Sequence, residues 1–198
     1  MSRLSEAISE GDGISVIPLL EGDVGQLATV AEEAGAEAVA VPTVGDVERV
    51  RPHTGLPILV REPVLEAGTA DACVLRYEDV ADDGEELEDL HARVLSAGLD
   101  CVVDVQDEEE LGQVLERIDP EIILISERSR ERDEAELERT LDLLPDVPAG
   151  KLVISESTVS GRDEVVALER AGVDAVLVRA LEQEFESTLA SLTGRSAE

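Results

Sequence analysis

Short runs of consecutive apolar residues alternate along this chain with longer stretches in which apolar residues recur every three or four positions. The first pattern is that of a strand buried on both faces, the second that of an amphipathic helix. Lys151 to Ser157, K-L-V-I-S-E-S, shows the unit most clearly: Leu152 to Ser155 form the run, and Glu156 and Ser157 break it. A helical pattern then extends from Arg162 to Ala171 and stops at Gly172, and the next apolar run is Ala175 to Val178. This is a βαβ unit. Its polar residues fall where the strand has ended and the helix has not begun, the side of a parallel α/β fold that carries function.

The unit repeats. After an amphipathic segment, Met1 to Glu10, with Leu4, Ala7 and Ile8 on one side, strands are predicted at Ile14–Leu20, Ala38–Val41, Pro57–Val60, Ala72–Leu75, Cys101–Val105 and Ile122–Ile125, ahead of the two already described. Helices are predicted at Val24–Ala34 with Asp23 as N-cap, at Asp46–Arg51, Glu85–Ala97, Glu108–Ile118 and Asp133–Leu144, and from about Glu182 to Leu192. Eight alternating βα units with near-continuous apolar strands predict a (β/α)8 barrel, one domain over residues 1–198, at the short limit for that fold. An open doubly wound sheet is the alternative, but no phosphate-binding glycine fingerprint follows the first strand. One crossover is irregular. Only Arg61 to Asp71, eleven residues with Pro63 and Gly68, separate the third and fourth strands, too few for a full helix, so the wall is expected to be thin or open there.

Composition changes the picture in two ways. With 47 acidic against 16 basic residues the net charge is -31, yet 43% of residues are hydrophobic and the acid is spread throughout, which is not the profile of a disordered acidic tail. Among the basic residues 15 are Arg and one is Lys, with one Phe, one Tyr and no Trp. Such a composition resembles that of cytosolic proteins of salt-accumulating halophilic archaea, where molar salt shortens the Debye length to about 3 Å. The charge is then an adaptation to solvent, and it argues against nucleic acid as a partner. Met1 to Gly11 is polar and no apolar run approaches the roughly 20 residues of a membrane span, so a cytoplasmic protein with no membrane partner is expected. Cys73 and Cys101 each lie inside an apolar run and read as small buried hydrophobes.

Against this background several segments carry a family resemblance. V-V-D-V-Q-D-E-E-E-L (Val102 to Leu111), I-I-L-I-S-E-R-S-R (Ile122 to Arg130), K-L-V-I-S-E-S and A-G-V-D-A-V-L-V (Ala171 to Val178) resemble, in order and spacing, the C-terminal half of indole-3-glycerol-phosphate synthase. A-G-A-E-A-V-A-V (Ala34 to Val41) and L-P-I-L-V-R-E-P (Leu56 to Pro63) look like the second and third strands of that family, and the resemblance covers about 180 residues. It implies a barrel whose mouth binds an anionic sugar phosphate. The family enzyme decarboxylates 1-(2-carboxyphenylamino)-1-deoxyribulose 5-phosphate and closes its ring, using lysines as acid and electrostatic partner, a glutamate as base and glycine amides for the phosphate.

This chain departs from that pattern where the chemistry is done. The first-strand lysine falls in the Pro18-Leu19-Leu20 region, and the general-acid lysine of the third strand falls on Arg61, whose guanidinium cannot exchange protons near neutrality. The fifth-strand glutamate falls on Asp104, the sixth-strand asparagine on Ser126, and the family arginine is kept as Arg128. After the seventh strand the serine is kept as Ser157, but Thr158 replaces the phosphate-binding glycine; after the eighth, glycine-glutamate has become Arg179-Ala180. By this correspondence Asp104 and Arg61 are the catalytic candidates, Ser126, Arg128, Ser157 and Arg179 would bind ligand, and Thr158, Arg179 and Ala180 would meet a phosphate. Lys151, the only lysine, stands at the N-terminal start of a strand, so lysine chemistry is unavailable.

No cofactor and no metal is expected. His53 and His91 lack a second ligand at metal-binding spacing, and the acidic runs lack the glycine-punctuated alternation of a calcium loop. Carboxylates at strand ends (Glu62, Asp104, Glu127, Glu156) are more readily paired with Arg61, Arg76, Arg128 and Arg179 than with an ion. Those four arginines at C-terminal strand ends either hold an anionic ligand or neutralise the rim. Three readings follow: a catalytically degenerate relative that binds a phosphorylated small molecule or a partner at the barrel mouth, an active divergent synthase, or a structural protein that pairs with a second copy through the thin wall as a homodimer.

Overall fold

The fifth strand begins at Asp100 and its neighbours follow in chain order on either side until the eighth returns to pair with the first, so eight parallel strands form a closed barrel. They are β1 (Ser15–Leu19), β2 (Val39–Val41), β3 (Ile58–Val60), β4 (Ala72–Arg76), β5 (Asp100–Val105), β6 (Ile122–Ile125), β7 (Leu152–Glu156) and β8 (Ala175–Arg179). The computed structural model describes residues 3–10, 13–66, 70–80, 84–126, 140–159, 161–179 and 184–194. The helices within them are α1 (Arg3–Ser9), α2 (Val24–Glu33), α3 (Val44–Val50), α4 (Tyr77–Val80), α5 (Gly84–Ser96), α6 (Glu108–Arg117), α7 (Arg162–Ala171) and α8 (Phe185–Thr193). The open-sheet alternative is excluded by the β1–β8 ladder, which pairs every residue from Ser15 with Ala175 to Leu19 with Arg179.

The strands have two buried faces, and the apolar residues divide between them by parity. Val16, Val39, Val41, Ile58, Val60, Cys73, Leu75, Val103, Ile123, Val153, Val176 and Val178 belong to the layer between barrel and helical coat. Ile17, Leu19, Ala40, Leu59, Val74, Val102, Leu124, Ile154 and Leu177 form a second cluster, the packed barrel interior. Leu4 and Ile8 of α1 belong to that interior cluster, so the amphipathic first helix closes the N-terminal end of the barrel. Asp100, at the start of β5, helps to hold it: its Oδ2 accepts from the Ser5 backbone N–H at 3.0 Å, and burial raises its carboxyl above the usual carboxylate range.

Asp23 caps α2, as expected, by accepting from the Gln26 N–H, and Asp107, a cap not named in the sequence reading, does the same for α6 by accepting from the Glu110 N–H. Gly172 ends α7 in the left-handed region, at φ 106°. Two details differ from the sequence reading. α3 starts at Val44, two residues early, because Glu62 reaches across from the end of β3 and accepts from the Val44 N–H at 2.6 Å. α4 is an extra turn directly after β4, anchored by buried Tyr77, whose hydroxyl donates to Gln113 of α6. The expected helix Asp133–Leu144 lies mostly outside the described residues; its end, 140–143, is helical.

The β3–β4 crossover holds no helix among its described residues, 61–66 and 70–71. The wall there is thin but not open. β3 and β4 pair at two positions, Leu59 with Ala72 and Val60 with Cys73, and all four side chains are fully buried. Val64, itself buried, folds back so that its carbonyl accepts from the Cys73 thiol, and Leu65 packs on the same cluster. Cys73 and Cys101 are free thiols lying side by side in register. No helix among the described residues is long and apolar enough to cross a membrane.

Candidate functional site at the barrel mouth

Parity fixes which side chains reach the C-terminal mouth. Counting two residues on from each interior apolar residue leads from Leu59 to Arg61, from Val74 to Arg76, from Val102 to Asp104, from Leu124 to Ser126, from Ile154 to Glu156 and from Leu177 to Arg179. The top layer of the barrel interior is thus polar and charged from β3 round to β8. Leu19 and Ala40 leave the β1–β2 side apolar.

Glu156 organises one half of this layer. Its Oε2 lies 2.7 Å from Arg61 Nη1 and its Oε1 3.3 Å from Arg179 Nη2. The Arg61 and Glu156 side chains are only 10% and 15% exposed, whereas Arg179 is half exposed. Arg61 Nη1 makes no aligned hydrogen bond despite the short approach, so the pair is held chiefly by charge.

Asp104 organises the other half. It is 4% exposed, and its Oδ1 has no hydrogen-bond partner. Burial pushes its carboxyl up to about 7; a hydrogen bond from Ser126 and the charge of Arg61 pull it back, Glu156 adds to the rise, and Arg76 lowers it. Arg76 is the register partner of Asp104 on the neighbouring strand. Among the described inward-facing residues, three guanidinium groups therefore face Glu156 and a carboxyl poised near neutrality. These described inward-facing groups are together net positive on a chain whose net charge is -31.

The other sequence candidates separate from this layer. Ser157 is buried, but its hydroxyl lies 3.1 Å from that of Ser155, which in turn lies 3.2 Å from Thr140. Ser155 shares the parity of Val153, so this hydroxyl chain runs on the outer face of β7, under the helical coat. Thr158 is exposed just beyond it. Arg128 and Ala180 lie outside the described residues, as does Glu127. Lys151 is paired with Asp119 at the opposite end of the barrel, beside His91, whose imidazole is held below its ordinary pKa by burial. Among the described residues no group of His, Cys, Asp and Glu is arranged to hold a metal ion, and Glu62 is used as the cap of α3. What sequence reading left out is the neighbourhood of Arg76 and Asp104, which the two-residue count along β4 and β5 would have found.

Comparison with known proteins agrees with this architecture. A family model described as indole-3-glycerol phosphate synthase matches residues 61–188. The indole-3-glycerol phosphate synthase of Shouchella clausii is 31% identical over 166 residues, 77% of this chain and 65% of that protein. That of a Bacillus cereus strain is 31% identical over 174 residues, 80% and 68% of the two chains. The chain spans about two thirds of the length of these curated relatives. Among solved structures, GGGPS from Thermoplasma volcanium superposes with a TM-score of 0.68 at 12% identity, covering 98% of this chain and 97% of the other. N-acetylmannosamine-6-phosphate 2-epimerase from Clostridium perfringens gives 0.66 at 16% identity, covering 92% and 91%. At such identities these two show the fold alone, whereas the family model and the curated relatives carry the assignment: the chain belongs to the indole-3-glycerol phosphate synthase family.

Proposed function

We propose that this barrel binds a phosphorylated, anionic small molecule at its C-terminal mouth and does not carry out the lysine-dependent ring closure implied by its family. The observation behind this reading is the composition of the inward-facing layer: Arg61, Arg76 and Arg179 with Glu156, Asp104 and Ser126, and no lysine. Guanidinium groups bind phosphate and carboxylate well but do not give up protons near neutrality. The one lysine of the chain is committed to Asp119 at the far end. Charge on the half-exposed Arg179, the last residue of β8, takes over from the glycine amides that would otherwise hold a phosphate. Net acidity and the scarcity of lysine belong to the same reading: the protein works in a cytoplasm of high salt.

A second reading rests on Asp104. A buried carboxyl with a pKa of about 7 is a competent acid at neutral pH, and it would allow residual turnover without lysine. One experiment separates the two. Purified protein in about 2 M KCl is assayed for indole-glycerol-phosphate formation and, in parallel, titrated with sugar phosphates. Binding without turnover supports the first reading, turnover at an enzymatic rate the second, and the absence of both would sink the proposal.

A further inference from the structure

We infer that Arg76 and Asp104 together form an oxyanion subsite on the β4–β5 side of the mouth, in which the guanidinium holds the anion and Asp104 meets it as a neutral carboxylic acid. This rests on the reading of the mouth as an anion site and adds to it where the anion sits and what it does to the protein's protons.

Three observations carry it. Arg76 and Asp104 are register partners on adjacent parallel strands and share the inward parity of Val74 and Val102, so their side chains rise next to one another from the barrel floor. Neighbours of opposite charge at that spacing ordinarily form an ion pair. Yet Arg76 makes no salt bridge within 4.0 Å among the described residues, and the Asp104 Oδ1 is buried without a hydrogen-bond partner. The other two inward-facing arginines are both drawn to Glu156, which leaves Arg76 as the guanidinium whose fork of donors is uncommitted.

An unpartnered buried carboxyl oxygen is costly unless something completes it. A carboxylate or phosphoryl oxygen does so if Asp104 carries a proton. The acid then donates from its O–H while the Arg76 N–H groups donate from the adjacent strand. The charged and polar groups facing Asp104 are Arg61 from β3, Arg76 from β4, Ser126 from β6 and Glu156 from β7. An incoming anion adds a negative charge to this set, and a proton from solvent moves onto Asp104. Carboxyl burial, with a pKa of about 7, makes that uptake small in cost at neutral pH.

The test uses the whole chain and two probe anions that do not titrate near neutrality, sulfate for the tetrahedral case and oxalate for the planar one. Calorimetric titrations at constant KCl in two buffers of different ionisation enthalpy give the protons taken up per anion bound. Uptake of about half a proton at pH 7, rising towards one at pH 8, is expected, with affinity falling up to about tenfold per pH unit above 7. Arg76→Ala should weaken binding at least about tenfold. Asp104→Asn should still bind, with no proton uptake and a flat pH profile. If Arg76→Ala does not fold, Arg76→Gln gives the same comparison. The stronger probe identifies the ligand group as carboxylate or phosphoryl. Binding that is lost in Arg179→Ala but unchanged in the Arg76 variants, or that takes up no proton, overturns this subsite and leaves the mouth as an anion site. Failure of every anion to bind the unaltered protein overturns both.

Discussion

Arg61 Nη1 and Glu156 Oε2 meet at 2.7 Å across the barrel mouth, from strands that are not neighbours in the sheet. Both side chains are largely buried, so removing one partner strands the charge of the other. Glu156→Leu is expected to cost about 3–5 kcal/mol in denaturant unfolding, since it deprives Arg61 of its carboxylate. Adding Arg61→Met in the same chain should restore most of that stability, because an apolar pair replaces a desolvated ion pair. A double variant no more stable than Glu156→Leu alone would mean that the two side chains are not coupled.

Arg61 also permits a test of chemistry. It faces inward, and the sequence resemblance implies that this is the position of the family's general-acid lysine; its pairing with Glu156 makes it a site where a lysine would meet a carboxylate. The unaltered protein should show no indole-glycerol-phosphate formation above background. Arg61→Lys should raise the rate, by up to about 100-fold over that background if proton donation is the missing element. Equal rates in the two proteins would place the deficiency elsewhere in the mouth.

The barrel was legible because its signals are local. A run such as I-I-L-I or L-V-I-S needs no partner to be recognised, and Asp23 and Gly172 mark helix ends through bonds to residues three or four positions away. The site was legible only in part. That Arg61, Arg76 and Arg179 fall at strand ends is visible in one dimension; that Arg179 shares Glu156 with Arg61 while Arg76 stands beside Asp104 depends on register and closure. Ser157 shows the same limit. Its neighbours in sequence suggest the mouth, but its hydroxyl joins Ser155 and Thr140, and Thr140 comes from a segment whose approach no local pattern announces. Leu4 and Ile8 likewise form a visible apolar stripe, whose destination inside the barrel floor is tertiary information.

The floor itself makes a testable unit. Leu4 is fully buried in the interior cluster, and α1 is held from β5 by Asp100. Leu4→Ala should destabilise the fold by about 2–5 kcal/mol, the cost of lost burial plus the cavity left behind. Asp100→Ala removes the acceptor for the Ser5 N–H and should cost less, about 1–2 kcal/mol, as for a lost helix cap. Urea unfolding at fixed KCl measures both, and a Leu4 variant as stable as the parent would show that α1 is not part of the cooperative unit.

Salt should govern the whole molecule. A net charge of -31 on 198 residues repels itself over a Debye length of about 10 Å at 0.1 M and about 3 Å at 1 M. The melting temperature is expected to rise by more than about 10 °C between 0.1 M and 3 M KCl, corresponding to several kcal/mol for a chain of this size. A melting temperature flat across that range would remove the high-salt reading.

Asp104 adds a pH dependence of unusual sign. A carboxyl ordinarily near 3.8 is held at about 7 in the folded barrel, chiefly by burial, so folding favours the protonated acid. Below about pH 4 it is neutral in both states and its burial carries no charge penalty. As the pH climbs from 4 to 7 the unfolded chain ionises first, and folded stability falls by about 4 kcal/mol in total; above 7 the loss is complete. Asp100 and Asp174 are also raised by burial and slope the same way, so the curve of the unaltered protein alone does not isolate Asp104. The difference between it and Asp104→Asn does, because the amide cannot ionise. Measured by denaturant unfolding at constant KCl, the advantage of the variant over the parent should grow steadily from pH 4 to pH 7 and then level off. A difference that stays constant over that range would mean that Asp104 is ionised in the folded protein throughout, with its charge compensated by Arg61 and Arg76 more completely than its orphaned oxygen implies.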